Sequence, residues 1–413
     1  MIFRLVITLA SLSFFCAAIR ELSRGKHRFD VFAIWGVLTF GLMGAITALQ
    51  TAGYQLPELT NSTIFGLSGI LFSLGIATSK LPKRAHSNYG NSVPLAVLLL
   101  LGLLTTIGTF TDSWAFPVLM IAGFSPLIAI SNRTLTLNHL RCSVMAGCAF
   151  LSLSIAVMAL VIPERFFGSC RLDKCSIWGE SIGSLSSGNA LGLLFSAMAL
   201  LGIAFASSNS VRWVIGLSSL FMIEASSGRT SLLAYLSAIT AWLFVIWIGK
   251  IGMKVNIVLW LVILGSFTFI AFPHSPQDFT FRGELWIYAK SQIAENLYFG
   301  HGASEWVRSA HSSGIILNYS THNIWLEALY VSGLFGFGVF VYSLLASKNL
   351  WSSTAAHPQV GLFLWLIFTG LTEVPSFIAR PYIVPGALLL YYLCSQAEPN
   401  LSTRIKSPPR IEG

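Results

Sequence analysis

Long apolar runs alternate with short polar segments along nearly the whole chain. A helix needs roughly 20 apolar residues to cross a bilayer, and about thirteen of these runs are long enough when flanking side chains can reach the surface. The alternating pattern of a membrane barrel strand is absent, so we predict helices. The predicted spans are 2–19, 31–50, 64–79, 93–110, 115–130, 142–162, 190–206, 213–227, 231–249, 255–272, 324–345, 360–377 and 382–395.

The composition agrees with a membrane protein. Apolar residues make up 54% of the 413 positions, charged residues 10%, and the mean hydropathy is +0.73. A soluble domain carries about 25% charged residues, and here the deficit extends along the chain. This excludes a soluble enzyme with one anchor, a disordered protein and a disulfide scaffold. We predict an all-α, polytopic transmembrane bundle of about 12–13 spans.

The distribution of basic residues predicts the orientation. Arg20, Arg24, Lys26 and Arg28 follow the first apolar core, and only Arg4 precedes it. A secretory signal has the reverse order, so we expect an uncleaved helix. When the loops are alternated from there, most of the 25 Lys and Arg fall on one side, which should be the cytoplasm. The amino terminus is then expected outside and the carboxyl terminus inside.

Two loops on the predicted outer side are long, 163–189 and 273–323. Connections between packed helices are usually a few residues, so loops of this length tend to be functional. They contain most of the cations on that side, although long loops also translocate regardless of charge. In the first loop, Cys170 and Cys175 are either a short-range disulfide or two free thiols.

The second long loop is the most polar part of the chain. Its stretch RGELWIYAKSQIAEN has the weakly amphipathic pattern of a helix at the membrane surface. Trp286 is either an interfacial anchor or a platform for a sugar ring. His322, at the mouth of the next span, is either an interfacial residue or a base that takes a proton from a hydroxyl; Thr321 beside it could cap that span.

Arg229 lies in the short turn SSGRTS, close to Glu224. It either pairs with Glu224, reaches to lipid headgroups, or grips a phosphate with its planar guanidinium. Ionisable residues inside the predicted spans are few, and Glu224 and Glu373 are the carboxylates that stand out. This scarcity argues against an ion-driven pump. Phosphate-binding glycine loops, dinucleotide fingerprints and zinc spacings are absent, so no metal site is predicted.

Several segments in order resemble the O-antigen ligase and polymerase family of bacterial inner membranes. They are SSGRTSLLAY, FRGELWIYA, NLYFGHGASEW, THNIWLEALYVSGLFGFGVFVY and GLTEVPSF, with SSGNALG a looser match. The resemblance covers roughly 185–395. It divides the chain into amino-terminal transmembrane helices at 1–160, a ligase- or polymerase-like core with both long loops at 161–400, and a cytoplasmic tail at 401–413.

The resemblance implies a GT-C-like fold and a metal-independent, inverting glycosyltransferase without a cofactor. The implied donor is a glycan on undecaprenyl diphosphate, used on the periplasmic face. His322 then looks like the essential histidine, and Arg229 and Arg282 look like the two arginines that hold the donor diphosphate. Weaker candidates for diphosphate or glycan contacts are Arg171, Lys174, Lys290 and Arg308. His311, Asn323 and Trp286 are further weaker candidates for the site, and Glu373 could pair with one of the arginines.

The acceptor is left open by these residues. A ligase would use a lipid A core sugar and a polymerase a growing polysaccharide; either presents a hydroxyl to the same donor. Membrane lipids are the other expected partners, and nucleic acid is not expected. The competing functional class is a flippase for lipid-linked glycans, which would need two homologous halves that the sequence does not show. A scaffold would not need Arg229, Arg282 and His322.

Overall fold

The structure is a computed structural model. It describes residues 2–24, 31–57, 60–79, 81, 115–130, 133–169, 175–182, 188–250, 255–302, 305–306, 321–345, 357–371, 373 and 385–398.

Helices make up almost all of the regular structure. They are α1 Ile2–Arg24, α2 Val31–Thr51, α3 Thr60–Thr78, α4 Ala115–Phe124, α5 Pro126–Ala129, α6 Leu137–Val161, α7 Pro163–Phe166, α8 Gly188–Phe205, α9 Asn209–Ala225, α10 Arg229–Lys250, α11 Val255–Ala271, α12 Asp278–Glu295, α13 Ile324–Leu345, α14 Pro358–Gly370 and α15 Pro385–Gln396. Short strands pair as β1 Leu135–Thr136 with β4 Ala397–Glu398, in parallel, and as β2 Phe167–Ser169 with β3 Glu180–Ile182, antiparallel.

The predicted all-α membrane architecture is confirmed. Within the described part of the chain, six helices are long and apolar enough to cross a membrane: α1, α2, α3, α6, α10 and α13. Four shorter apolar stretches lie within α4–α5, α8, α11 and α14. Ten predicted spans overlap these apolar helices, although α14 ends at Gly370 where the sequence predicts a span to 377. The spans predicted at 213–227 and 382–395 overlap α9 and α15, which are helical but are not among these ten, and the span at 93–110 lies outside the described residues. The chain is a multi-pass membrane protein.

Small residues allow the amino-terminal helices to pack backbone to backbone. A side chain at Gly36 in α2 would overlap the carbonyl of Ser143 in α6, and one at Gly147 would overlap Gly36 in return. The Ser143 hydroxyl also donates to the carbonyl of Phe32 across this contact, at 2.7 Å. Small residues and hydroxyls hold helices together in a bilayer, where lipid is as apolar as leucine. A π-helical turn, Val37–Leu42, follows the contact and interrupts the predicted regular span.

Helix α1 is an integral part of the bundle. Phe3, Ile7 and Phe14 are buried, and the helix packs on α6 and α9. At its start, Arg4 forms ion pairs with Glu164 at 2.7 Å and Glu180 at 3.4 Å, so this end lies beside the β2–β3 hairpin. The amino-terminal end of α1 and the first long loop are therefore at the same end of the bundle, as the predicted orientation requires.

Helix α13 is broken at Gly333, where the sequence predicts a continuous span. Gly333 has φ 60° and ψ −167°, a conformation open essentially only to glycine. Residues 297–302 lie against this break: the amides of His301 and Gly302 donate to the carbonyls of Tyr330 and Val331 at 2.8 and 3.0 Å. The freed backbone groups of the broken helix are thus satisfied by the second long loop.

Replacing Gly333 should destabilise the fold. A Cβ atom there would overlap the backbone of Tyr298, and the backbone conformation itself disfavours any side chain. We expect Gly333→Ala to cost about 1–3 kcal/mol and to lower the melting temperature in detergent. Gly338→Ala on the same helix is the matched control, because a Cβ there meets nothing within 4 Å. Equal melting temperatures for the two variants would contradict the assigned break.

Candidate active site

Three ionisable side chains from distant parts of the chain meet at one end of the bundle. Arg282 lies on α12, His322 precedes α13, and Glu373 follows α14. One Glu373 oxygen, Oε1, accepts a hydrogen bond from Arg282 Nη2, and the other, Oε2, lies 2.7 Å from His322 Nδ1. A single carboxylate therefore joins the guanidinium and the imidazole. We call Arg282, His322 and Glu373 the charged triad.

The charged triad is largely removed from solvent. Arg282 is 8% exposed and Glu373 is 3% exposed, and the His322 side chain is 14% exposed. A buried charge is costly unless it is paired, and ionisable groups kept at such positions in membrane proteins usually serve function. The pairing explains how these charges are tolerated. The burial also makes their interactions stronger than they would be in water.

The arginine turn between α9 and α10 adjoins the triad. The Thr230 hydroxyl accepts a hydrogen bond from Arg282 Nη1 at 3.1 Å, so the residue next to Arg229 contacts the triad directly. Arg229 itself is exposed at the start of α10. Glu224 is not its partner among the ion pairs of the described residues; Glu224 Oε1 instead accepts from the backbone amide of Ile177 at 2.6 Å. The structure thus brings the turn of Arg229 to Arg282.

The His322 loop is held by a helix cap. Asn323 Oδ1 accepts from the amides of Trp325 and Leu326 at 3.0 and 3.1 Å, which makes Asn323 the residue that caps α13, not Thr321. Its amide nitrogen donates to the carbonyl of Leu371 at 2.8 Å, two residues before Glu373. Asn323 therefore fixes the His322 loop relative to the segment that carries Glu373.

Two buried side chains form hydrogen bonds that hold the His322 loop. The indole of Trp286, 1% exposed, donates to the carbonyl of Thr321 at 2.9 Å. Glu327, in the first turn of α13, accepts from the amide of Thr321 at 3.1 Å. The structure places Trp286 in the core under the loop. The sequence analysis did not identify Glu327 or Thr230 as site residues. Glu327 could have been found, because it is a carboxylate inside an apolar run; nothing in the sequence marks Thr230.

Backbone strain is concentrated at the same place. The non-glycine residues with positive φ in the described chain are Ser227, Phe279, Phe281 and His322, with φ from 52° to 67°. Ser227 lies two residues before Arg229, and Phe281 directly precedes Arg282. For bulky residues such conformations are true outliers, and they persist mainly where function requires them. Of the three predicted site residues, His322 itself has positive φ, and Ser227 and Phe281 lie in the segments that carry Arg229 and Arg282.

The remaining candidates are dispersed or lie outside the described residues. Lys290 Nζ donates to the carbonyl of Phe272 at 3.0 Å, at the end of α11, and partial burial lowers the pKa of its ammonium group. Lys290 thus anchors α12 to a helix end. Cys175 is disulfide-bonded, whereas Cys16, Cys142, Cys148 and Cys394 are free. Outside the described residues lie Cys170, Arg171, Lys174, Arg308 and His311.

Where the structure describes the chain, no group of three or more His, Cys, Asp or Glu could hold a metal ion. The ionisable groups of this site are those of the charged triad. Their arrangement supplies a fixed cation in Arg282 and an imidazole oriented by a carboxylate. A site of this kind can bind an anionic group and accept a proton beside it.

The fold and the site together define a polytopic helical membrane protein with a buried Arg–Glu–His cluster at one end of its bundle. The chain is similar to the O-antigen ligase of Pseudomonas aeruginosa, with 31% identity over 168 residues. The aligned part covers 39% of this chain and 40% of that ligase. No family model matches the chain. The similarity supports the resemblance to O-antigen ligases and leaves more than half of either chain unaligned.

Proposed function

We propose that the protein is a membrane glycosyltransferase. It moves a glycan from undecaprenyl diphosphate to an acceptor hydroxyl on the periplasmic face of the bacterial inner membrane, as a ligase or a polymerase. The observation that carries the proposal is the charged triad, in which one buried carboxylate holds both an arginine and a histidine. The similarity to an O-antigen ligase supports the same class of reaction.

In the proposed reaction His322 is the base. Its Nδ1 faces Glu373, which favours the tautomer with the proton on Nδ1 and leaves the lone pair on Nε2. The acceptor oxygen attacks the anomeric carbon and gives its proton to Nε2. The bond from that carbon to the diphosphate oxygen breaks, and undecaprenyl diphosphate leaves with the electron pair. In-line displacement of this kind inverts the anomeric centre.

Arg229 and Arg282 stabilise the leaving group. Displacement places growing negative charge on the diphosphate, and fixed guanidinium groups offset it most strongly where water is scarce. Arg282 is buried and oriented by Thr230 and Glu373, whereas Arg229 lies exposed one residue from Thr230. Arg282 would hold the diphosphate from the protein side, and Arg229 would close on it from the surface. The arginines then take the role that a divalent metal has in other transferases.

The proposal predicts transfer without a divalent metal. Purified protein in liposomes, given a glycan on undecaprenyl diphosphate and a lipid A core acceptor, should form the joined product as fast in EDTA as in buffer with Mg²⁺. The measurement is the shift of the acceptor band on a gel. Loss of transfer in EDTA, restored by Mg²⁺, would overturn the metal-independent mechanism. No transfer under either condition, with either acceptor, would overturn the proposed function.

A deletion strain separates the two acceptors. Loss of a ligase should leave complete polymer that accumulates unattached to lipid A core. Loss of a polymerase should leave single repeat units attached to the acceptor. Complementation with the wild-type chain is the control in either case.

A further inference from the structure

We infer that the disulfide-linked residues 175–182 keep Arg229 available for the donor, because they hold the carboxylate that would otherwise pair with it. That carboxylate belongs to Glu224, which acts as a positioning residue and not as a catalytic one. The inference rests on the proposed function, in which Arg229 binds the diphosphate. It gives the first long loop a role in donor binding, although that loop contributes no residue to the charged triad. We call residues 175–182 the Cys175 segment.

The first support is the position of the two opposite charges. Glu224 lies in the last turn of α9 and Arg229 begins α10, with only a short turn between them. In this turn the amide of Ser227 donates to the carbonyl of Glu224 at 2.9 Å, and the amide of Arg229 donates to the carbonyl of Ser227 at 3.1 Å. Opposite charges this close along the chain attract each other. None of the described carboxylates nevertheless forms an ion pair with Arg229, so another contact holds Glu224.

The second support is the contact that holds Glu224. Its Oε1 accepts a short, charge-assisted hydrogen bond of 2.6 Å from the backbone amide of Ile177, in the Cys175 segment. Its Oε2 is buried and forms no hydrogen bond to a described residue. A buried carboxylate oxygen without a partner is costly, whereas an ion pair with Arg229 would satisfy it. The Ile177 amide is therefore the contact that opposes this pairing.

The third support is that the Cys175 segment presents this amide in a fixed orientation. Cys175, at the start of the segment, is disulfide-bonded. The buried hydroxyl of Ser176 donates to the carbonyl of Glu180, which closes the turn around Ile177. The Glu180 side chain pairs with Arg4 of α1 at 3.4 Å, and the strand β3 that it begins pairs with β2. The Ile177 amide is thus held between a disulfide and a strand anchored to the bundle.

Release of Glu224 would weaken donor binding. If its carboxylate paired with Arg229, the negative charge would offset that of the guanidinium and repel the diphosphate. This is an effect of charge, so it does not depend on how many guanidinium N–H donors stay unoccupied. Arg229 is exposed at the start of α10, so the effect is that of a surface pair. The Cys175 segment should therefore act on the affinity for the donor.

The decisive variant is Ile177→Pro, because proline has no amide proton to donate. Ile177→Ala is the matched control: it keeps the amide and loses the same side chain, which is 82% exposed. In liposomes, the Kd of undecaprenyl diphosphate should be about fivefold higher for Ile177→Pro than for Ile177→Ala, the effect expected of one exposed ion pair. Addition of Glu224→Gln to the proline variant should restore the Kd of Ile177→Ala, because a neutral side chain cannot offset the charge of Arg229.

Equal Kd values for Ile177→Pro and Ile177→Ala would overturn the inference. A raised Kd that persists after Glu224→Gln would also overturn it, since the Cys175 segment would then only support the fold of the arginine turn. If the proline variant does not fold, Cys175→Ser carries the test: the Kd should rise above that of the wild type and return with Glu224→Gln, and failure of either step would overturn the inference. Wild-type protein that does not bind undecaprenyl diphosphate would instead overturn the proposed function.

Discussion

His322→Ala should reduce glycan transfer by about 10²–10⁴-fold and leave donor binding intact, because the base is lost while the arginines that hold the diphosphate remain. The imidazole is fixed on Nδ1 by Glu373 and held in a loop with positive φ, so a water molecule in its place would not be oriented in the same way. The decisive measurements are single-turnover transfer and the Kd of undecaprenyl diphosphate on the same liposomes.

His301→Gln provides the control for this experiment. His301 belongs to the same long loop, but its ring stacks on Tyr330 and its Nε2 contacts the carbonyl of Gln292 at 2.8 Å, away from the triad. We expect transfer at close to the wild-type rate. A His322→Ala enzyme that still transferred glycan at that rate would remove His322 from the mechanism, whatever its contacts with Glu373.

The membrane fold could be predicted almost entirely from the sequence. Hydrophobic run length decides whether a segment is a spanning helix, and the lipid leaves few alternatives for the backbone. Most of the predicted spans therefore overlap apolar helices of the described chain. The break in α13 could not be predicted in this way. Gly333 stands in a run as apolar as its neighbours, and the break depends on residues 297–302, which reach it only through the folded loop.

The candidate site could be predicted by residue type, but few of its contacts could be. Arg229, Arg282 and His322 stand out in the sequence because charge is scarce there, and the resemblance to a family gives them roles. Which groups touch depends on the ends of α10, α12, α13 and α14 meeting, and hydropathy says nothing about that. A pairing of Glu373 with one of the arginines is expected from the sequence, whereas its second contact, with His322, and the contact of Thr230 with Arg282 became visible only in the structure.

Replacement of Arg282, the arginine of the charged triad, should also reduce glycan transfer strongly. Arg282→Lys keeps the positive charge but replaces the planar fork with a single ammonium group, which cannot hold Thr230, Glu373 and a phosphate in the same geometry. We expect kcat to fall by about 10²–10³-fold, the loss typical of removing one fixed donor from a developing oxyanion. Arg212→Lys is the matched control. Arg212 donates to the carbonyl of Ala206 at 2.9 Å in the turn before α9, and the arginine turn lies at the other end of α9. Wild-type turnover in Arg282→Lys would mean that charge alone is sufficient at this position, and the diphosphate clamp would then have to be assigned to Arg229.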